Sequence, residues 1–151
     1  MLVATADDMR ALGVGLGALL HAGDLVILDG PLGAGKTTLA QGIAEGLGVR
    51  GPITSPTFVI ARHHPSLVGG PGLVHVDAYR VQTWDELEDL GIEFDANTNV
   101  VVAEWAAGRL EQIADAHLVV SISRHADDEV REVVVTSTGD RWEGVDVPAR
   151  T

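Results

Sequence analysis

The chain has 151 residues, of which 46% are apolar and 21% charged, so it is long enough for one compact domain and too apolar to remain disordered. Its 22 Asp and Glu residues outnumber 10 Lys and Arg residues, and the resulting formal net charge of −12 disfavours tight direct binding of DNA or RNA. Cysteine is absent, which excludes disulfides and cysteine-ligated zinc, and no stretch reaches the roughly 20 apolar residues of a membrane span, so we expect a cytoplasmic protein.

The N-terminal third of the chain predicts two helices around a buried strand. Apolar residues recur at helical spacing over 7–21, with Thr5 or Asp7 as the N-cap, although three internal glycines weaken this prediction. The continuous apolar run at 25–28 is typical of a strand that is buried on both faces. A glycine-rich loop follows, and residues 37–47 carry the apolar stripe of a second helix.

The middle of the chain predicts three further strands and two further helices. Apolar runs predict strands at 58–61, 73–77 and 100–104, and the last two end in an acidic residue. A capping-box pattern begins a short helix at 83–90, and residues 106–114 predict another helix.

The C-terminal third predicts an antiparallel hairpin. Residues 117–123 and 130–137 alternate apolar and polar side chains with a period of two, and a short acidic link joins them. Strands that alternate with helices are typical of a mostly parallel sheet. We therefore predict an α/β protein with helices on both faces of the sheet and the antiparallel hairpin at its edge. The stretch at 65–72, rich in glycine and proline, is predicted to be a loop.

The most informative motif lies between the first predicted strand and the second helix. Residues 30–37 read Gly-Pro-Leu-Gly-Ala-Gly-Lys-Thr and match the phosphate-binding P-loop pattern G-x-x-x-x-G-K-[ST] in full. Glycines let successive backbone N–H groups point at phosphate oxygens, and the helix N-terminus adds positive potential. In this pattern Lys36 reaches the β- and γ-phosphates, Thr37 is a Mg²⁺ ligand, and Thr38 hydrogen-bonds on the α-phosphate side. We therefore predict one P-loop NTPase-like domain over residues 1–151.

Two acidic residues at strand ends complete the expected site. Asp77 and Glu104 each end a predicted strand, and open α/β sheets place ligand groups at the carboxyl ends of their strands. A carboxylate there binds Mg²⁺ directly, binds it through water, or accepts a proton from an attacking water. We expect at least one of the two to contact Mg²⁺ or its water shell. The alternative is that both are surface acids without a metal.

Other candidate residues carry weaker signals. Thr57 lies in a Ser-Pro-Thr segment, where a loop threonine senses the γ-phosphate in P-loop switches, although the same residues are common in turns. Trp84 and Trp105 could stack on a base or a partner, but tryptophans more often lie in a core or an interface. His63 and His64 are adjacent, which is a poor spacing for metal ligands, and we interpret them as surface loop residues.

Three functional classes remain open on the residues alone. The Asn-Lys-x-Asp and Asp-x-x-Gly motifs of guanine-specific GTPases are absent, which favours adenine or unspecific nucleotide recognition. An ATPase fits the P-loop. A small-molecule kinase also fits it, with Asp77 as the base for an acceptor hydroxyl. The third class is a nucleotide-gated binding module with negligible turnover.

Several segments together resemble one protein family. The chain is similar to TsaE, the small bacterial ATPases of tRNA threonylcarbamoyladenosine (t6A) biosynthesis, over about residues 5–125. The segments that carry the resemblance stand in the order of the family: Gly-Ala-Gly-Lys-Thr-Thr at 33–38, Thr-Ser-Pro-Thr-Phe at 54–58, His-Val-Asp-Ala-Tyr-Arg at 75–80, Glu-Leu at 86–87 with Leu-Gly-Ile at 90–92, and Val-Ala-Glu-Trp at 102–105.

The resemblance implies a function and a set of partners. It implies that the protein hydrolyses ATP with Mg²⁺ and binds the heterodimer of TsaB and TsaD, which transfers threonylcarbamoyl to adenosine 37 of certain tRNAs. Hydrolysis is then expected to reset the conformation of that assembly rather than to drive the transfer. The protein is expected to meet tRNA only through these partners, which agrees with its negative charge.

The resemblance also implies roles for individual residues. The stretch around Thr5 and Ala6 is expected to border the adenine. Asp77, Thr57 and Trp105 match residues that the family needs for activity. The expected nucleotide-binding residues are Gly33, Ala34, Gly35, Lys36, Thr37, Thr38, Ala6 and Trp105. The expected catalytic residues are Lys36, Asp77, Glu104 and Thr57. The expected metal ligands are Thr37, Glu104 and Asp77.

Overall fold

A seven-stranded sheet organises the protein. The computed structural model describes residues 1–31, 33–53, 61–77, 98–104, 116–124 and 129–150. The strand order across the sheet is β1-β7-β6-β2-β5-β4-β3. The strands are β1 (Leu2–Val3), β2 (Leu25–Asp29), β3 (Ala61–His64), β4 (Gly72–Asp77), β5 (Asn99–Glu104), β6 (His117–Arg124) and β7 (Arg131–Thr138). The described helices are α1 (Ala6–Gly17), α2 (Lys36–Leu47) and a 3-10 helix at Asp140–Trp142.

The centre of the sheet is parallel, as the sequence predicted. Strand β2 pairs in parallel with β5 and β6, and β5 pairs in parallel with β4. The carboxyl ends of these four strands therefore lie along one edge of the sheet. In this register Glu104 is the partner of both Leu28 and Asp77, so the two predicted acids end adjacent strands next to the strand that leads into the glycine-rich loop. The prediction of a mostly parallel α/β fold is confirmed.

The outer strands are antiparallel. Strands β6 and β7 form the predicted hairpin, and the two-residue strand β1, which was not predicted, pairs with the far side of β7. At the opposite edge β3 pairs with β4. Strand β3 begins at Ala61, where the predicted strand ends, and residues 58–60 lie outside the described part of the chain. The predicted helices at 83–90 and 106–114 also lie outside it.

Both faces of the central strands are buried, as a continuous apolar run requires. Val26 and Leu28 belong to the apolar core that also contains the buried residues of α1 and α2. Leu25 and Ile27 alternate with them on the other face and are buried as well. No helix in the described ranges is long and apolar enough to cross a membrane.

The glycines of α1 are explained by its contact with α2. A Cβ atom on Gly13 would lie 2.5 Å from the carbonyl oxygen of Leu39 and 2.8 Å from the Cα atom of Gly42. Real side chains do not approach so closely, so the two helix backbones touch along this line. The helix begins at Thr5, whose side chain accepts a hydrogen bond from the Asp8 backbone N–H at 3.1 Å. The contact places the start of α1 beside the start of α2.

The interpretation of His63 and His64 as loop residues is wrong, and of the two only His63 is exposed at the surface. Both lie in strand β3, paired with β4. The His63 ring is exposed, and its Nε2 atom lies 3.0 Å from Asn99 Oδ1. His64 is buried, and its Nδ1 atom lies 3.0 Å from the carbonyl oxygen of Arg50. Adjacent residues of a strand point to opposite faces, which explains the different environments of the two rings.

Candidate functional site

The glycine-rich loop connects β2 to α2. It leaves β2 at the carboxyl edge of the sheet, and Gly33 (φ 77°) and Gly35 (φ 110°) adopt the left-handed conformations that favour glycine. Gly35 is the N-cap of α2, and the first bond of the helix runs from the Leu39 N–H to the Gly35 carbonyl at 2.9 Å. The N–H groups of Thr37 and Thr38 precede that bond in the first turn of α2, where the positive end of the helix favours an anion.

Lys36 folds over this loop. It is the only lysine of the chain, and its side chain is buried, with 6% of the residue exposed. The Nζ atom donates to the Gly30 carbonyl oxygen at 2.5 Å and lies 3.4 Å from that of Pro31. A buried ammonium group needs such acceptors, because an isolated buried charge is strongly disfavoured. The structure thus places the only lysine ammonium group at the loop that the motif assigns to phosphate.

A cavity of about 330 Å³ adjoins the loop. Its volume lies near the lower end of the range of small-ligand pockets. It brings together the first turn of α1, the loop and the start of β7. Its lining residues are Ala4, Thr5, Ala6, Met9, Gly33, Ala34, Gly35, Thr38, Glu129 and Arg131. The structure therefore places the N-terminal stretch that was expected to border an adenine beside the residues expected to bind phosphate. Ala6 and Gly33 are 27 positions apart in the sequence.

The predicted acids lie at the carboxyl edge of the sheet. Glu104 is buried at the end of β5, with 4% of the residue exposed, and Asp77 is its partner in the register with β4. Both strands end on the side from which β2 enters the loop. The backbone thus assembles the two acids and the loop at one edge, as ligand sites in open α/β sheets require.

A buried histidine that sequence reasoning did not assign contacts one of these acids. His75 lies on β4 and is fully buried, and its Nε2 atom lies 2.6 Å from Glu104 Oε2. The signal in the sequence was the spacing, because His75 stands two residues before Asp77 in a predicted strand. The partner of His75 could not be read from this spacing, because it depends on the register between β4 and β5.

The oxygen groups of the site fit Mg²⁺. Thr37 supplies a hydroxyl in the first turn of α2, and Glu104 supplies a carboxylate at the sheet edge. Mg²⁺ in nucleotide sites takes one or two protein oxygens and completes its shell with phosphate oxygens and water. In the described ranges no group of three or more His, Cys, Asp or Glu residues could hold a metal ion, so a closed all-protein cage is not formed there. Thr57 and Trp105 lie outside the described residues.

Comparison with known proteins identifies the family. Residues 3–133 match the family described as "Threonylcarbamoyl adenosine biosynthesis protein TsaE". The chain belongs to the TsaE family. A TsaE protein of Streptomyces coelicolor is 55% identical over 143 residues, which cover 92% of this chain and 97% of that protein. A TsaE protein of Bacillus subtilis is 40% identical over 138 residues, with 91% of this chain and 84% of that protein covered.

A solved structure agrees with this assignment. The crystal structure of Bacillus subtilis YdiB superimposes with a TM-score of 0.71 and 32% sequence identity, and the match covers 95% of this chain and 87% of that one. The chain therefore shares its fold with YdiB, while the family assignment rests on the sequence matches. The resemblance stated from the sequence motifs is confirmed.

Proposed function

We propose that this TsaE protein binds and hydrolyses ATP with Mg²⁺ and acts as a conformational switch on a TsaB–TsaD complex during t6A37 modification of tRNA. The observation that carries the proposal is that the glycine-rich loop and a cavity lined by the N-terminal stretch lie next to each other. A glycine-rich loop begins α2 beside the buried Lys36, and a cavity of about 330 Å³ lined by Thr5 and Ala6 adjoins that loop. The loop suits a chain of phosphates, and the cavity suits the nucleoside attached to it.

Individual residues are assigned roles within this proposal. The N–H groups at the start of α2 bind phosphate oxygens, and Lys36 exchanges its loop carbonyls for the β- and γ-phosphates. Thr37 and Glu104 are assigned as Mg²⁺ ligands, and Asp77 orients or deprotonates the attacking water. When bound, Mg²⁺ neutralises charge on the phosphates that leave and transfer. Hydrolysis breaks the bond between the β- and γ-phosphates, and water supplies the oxygen of the released phosphate.

The charge of the chain supports action through partners. A formal net charge of −12 repels the tRNA backbone, so a protein of the t6A pathway with this charge needs other subunits to act on tRNA. The relatives from Streptomyces coelicolor and Bacillus subtilis are named for tRNA threonylcarbamoyladenosine biosynthesis. The TsaB–TsaD heterodimer is the proposed partner.

A phosphate-release assay tests the proposal. Inorganic phosphate is measured from ATP with the protein alone and with the purified TsaB–TsaD pair, in Mg²⁺ and in EDTA. We expect release that requires Mg²⁺, increases with the pair, and falls by at least about a hundredfold in Lys36→Ala, because the ammonium group stabilises transferring phosphate. Circular dichroism confirms that this variant is folded.

Three results would overturn the proposal. Phosphate release at the wild-type rate from Lys36→Ala would remove the role of the loop. Transfer of phosphate to a small acceptor in place of release would identify a small-molecule kinase. Binding of ATP without turnover, with or without the pair, would identify a nucleotide-gated binding module.

A further inference from the structure

His75 and Glu104 form a buried hydrogen-bonded pair beneath the carboxyl edge of the sheet. The distance from His75 Nε2 to Glu104 Oε2 is 2.6 Å, and the side chains of the two residues are 0% and 5% exposed. Among the described residues, His75 is the one whose side chain forms a hydrogen bond with the Glu104 carboxylate. The orientation of this carboxylate therefore depends on one ring from the neighbouring strand.

The hydrogen bond assigns the tautomer of His75. An ionised carboxylate only accepts hydrogen bonds, so the proton of the pair lies on Nε2, which donates to Oε2. The opposite ring atom, Nδ1, is buried and has no hydrogen-bond partner among the described residues. The Nε2–H tautomer leaves Nδ1 as an acceptor, whereas a proton on Nδ1 would bury a donor without an acceptor. Both observations favour a ring that donates from Nε2 to Glu104 and makes no other hydrogen bond with the described residues.

We propose that His75 is a positioning residue that holds the Glu104 carboxylate in the orientation required to bind Mg²⁺ with the nucleotide. The inference rests on the proposed function, since it concerns the acid assigned there to the metal. Groups that orient metal ligands from behind commonly change metal affinity by about 10–100-fold when they are removed. Val74 and Val76, the neighbours of His75 in β4, are fully buried apolar residues. Burying the polar ring of His75 between them costs free energy unless the ring is hydrogen-bonded.

Two variants that carry the same amide group on side chains of different length test this inference. His75→Gln can place an amide N–H near the position of Nε2, whereas the shorter side chain of His75→Asn places it near Nδ1. The affinity for ATP is measured by calorimetry in EDTA and across a series of Mg²⁺ concentrations. We expect both variants to bind ATP as the wild type does in EDTA. With Mg²⁺, the gain in affinity stays within about twofold of wild type in His75→Gln and falls about tenfold in His75→Asn.

Controls separate positioning from folding. The exposed ring of His63 lies on the adjacent strand β3 and contacts Asn99, so His63→Asn should leave the Mg²⁺-dependent gain unchanged. In a Glu104→Gln background, His75→Asn should cause no further loss, because the carboxylate that it orients is already gone. This double variant keeps the test decisive if the single variant is destabilised.

The outcomes are distinct for the two proposals. A wild-type Mg²⁺ response in His75→Asn overturns the positioning role, as does an equal loss in the Gln and Asn variants. A further loss in the Glu104→Gln background also overturns it, because His75 would then act independently of that carboxylate. Failure of the wild-type protein to bind ATP with Mg²⁺ overturns the proposed function itself.

Discussion

Gly13 of α1 and Gly42 of α2 meet backbone to backbone. A Cβ atom on Gly42 would lie 2.9 Å from the Cα atom of Gly13 and 2.2 Å from the carbonyl oxygen of Arg10. Neither approach is possible for a side chain without moving one helix. Since α1 carries Thr5 and Ala6 into the cavity beside the loop, this glycine contact determines how that cavity is formed.

Gly13→Ala is predicted to destabilise the protein although alanine is the better helix former. Gly15→Ala on the same helix is the matched control, because its Cβ atom would meet Pro148 at an ordinary 3.8 Å. We expect Gly15→Ala to be neutral or stabilising by up to about 1 kcal/mol. Gly13→Ala should cost about 1–3 kcal/mol through overpacking. Urea denaturation measures both, and equal stability of the two variants would show that the helices separate without cost.

The glycines of α1 also show why local helix propensity did not predict this helix well. Three glycines in a helical pattern lower the predicted helicity, and that penalty is real for an isolated helix. The structure uses Gly13 and Gly17 for backbone contact with α2, so tertiary packing outweighs the local preference. By contrast, the left-handed conformations of Gly33 and Gly35 agree with the local motif, because they depend on a few adjacent residues.

Features that depend on pairing between distant segments could not be predicted. Strand β1 has two residues and thus no periodicity, and it forms only because β7 offers an open edge. The pair of His75 and Glu104 depends on the register of two strands, because the two residues are 29 positions apart along the chain. The burial of His64 similarly follows from the pairing of β3 with β4.

Ala6→Phe is predicted to weaken nucleotide binding by filling the nucleoside side of the site. Ala6 lines the cavity, whereas Ala11 is exposed on the same helix and is not one of its lining residues. We expect Ala6→Phe to reduce the affinity for ATP at least about tenfold, which corresponds to about 1.4 kcal/mol. The affinity for inorganic tripolyphosphate should stay within about twofold of wild type, because the loop is unchanged.

Calorimetric titration with both ligands measures this difference, with Ala11→Phe as the control. A parallel loss of ATP and tripolyphosphate binding in Ala6→Phe would mean that the substitution disturbs the loop itself. Unchanged ATP binding would mean that the cavity does not hold the nucleoside.

Glu104→Gln is predicted to abolish Mg²⁺-dependent hydrolysis while preserving the fold. The substitution keeps the shape of the side chain, and its amide oxygen can still accept from His75 Nε2. It removes the negative charge that the metal requires, so we expect phosphate release to fall at least about a hundredfold. The exposed Glu143 provides an isosteric control, and Glu143→Gln should remain within about twofold of wild type. Similar rates for the two variants would remove Glu104 from the site.

Acid sensitivity is predicted to depend on His64. Burial lowers the pKa of His64 from its ordinary value of 6.5, and the hydrogen bond with the Arg50 carbonyl only partly offsets this effect. The unfolded chain therefore takes up a proton more readily than the folded protein, so the stability that neutral His64 provides is present above about pH 6.5 and is lost as the pH falls below it. His64→Asn keeps a donor for Arg50 but does not titrate, so its free energy of unfolding should fall less between pH 7.5 and 5.5 than that of wild type. Urea denaturation at each pH measures the difference. The exposed His63 provides the control, because His63→Asn should keep the wild-type dependence of the free energy of unfolding on pH. The same dependence in all three proteins would contradict the prediction.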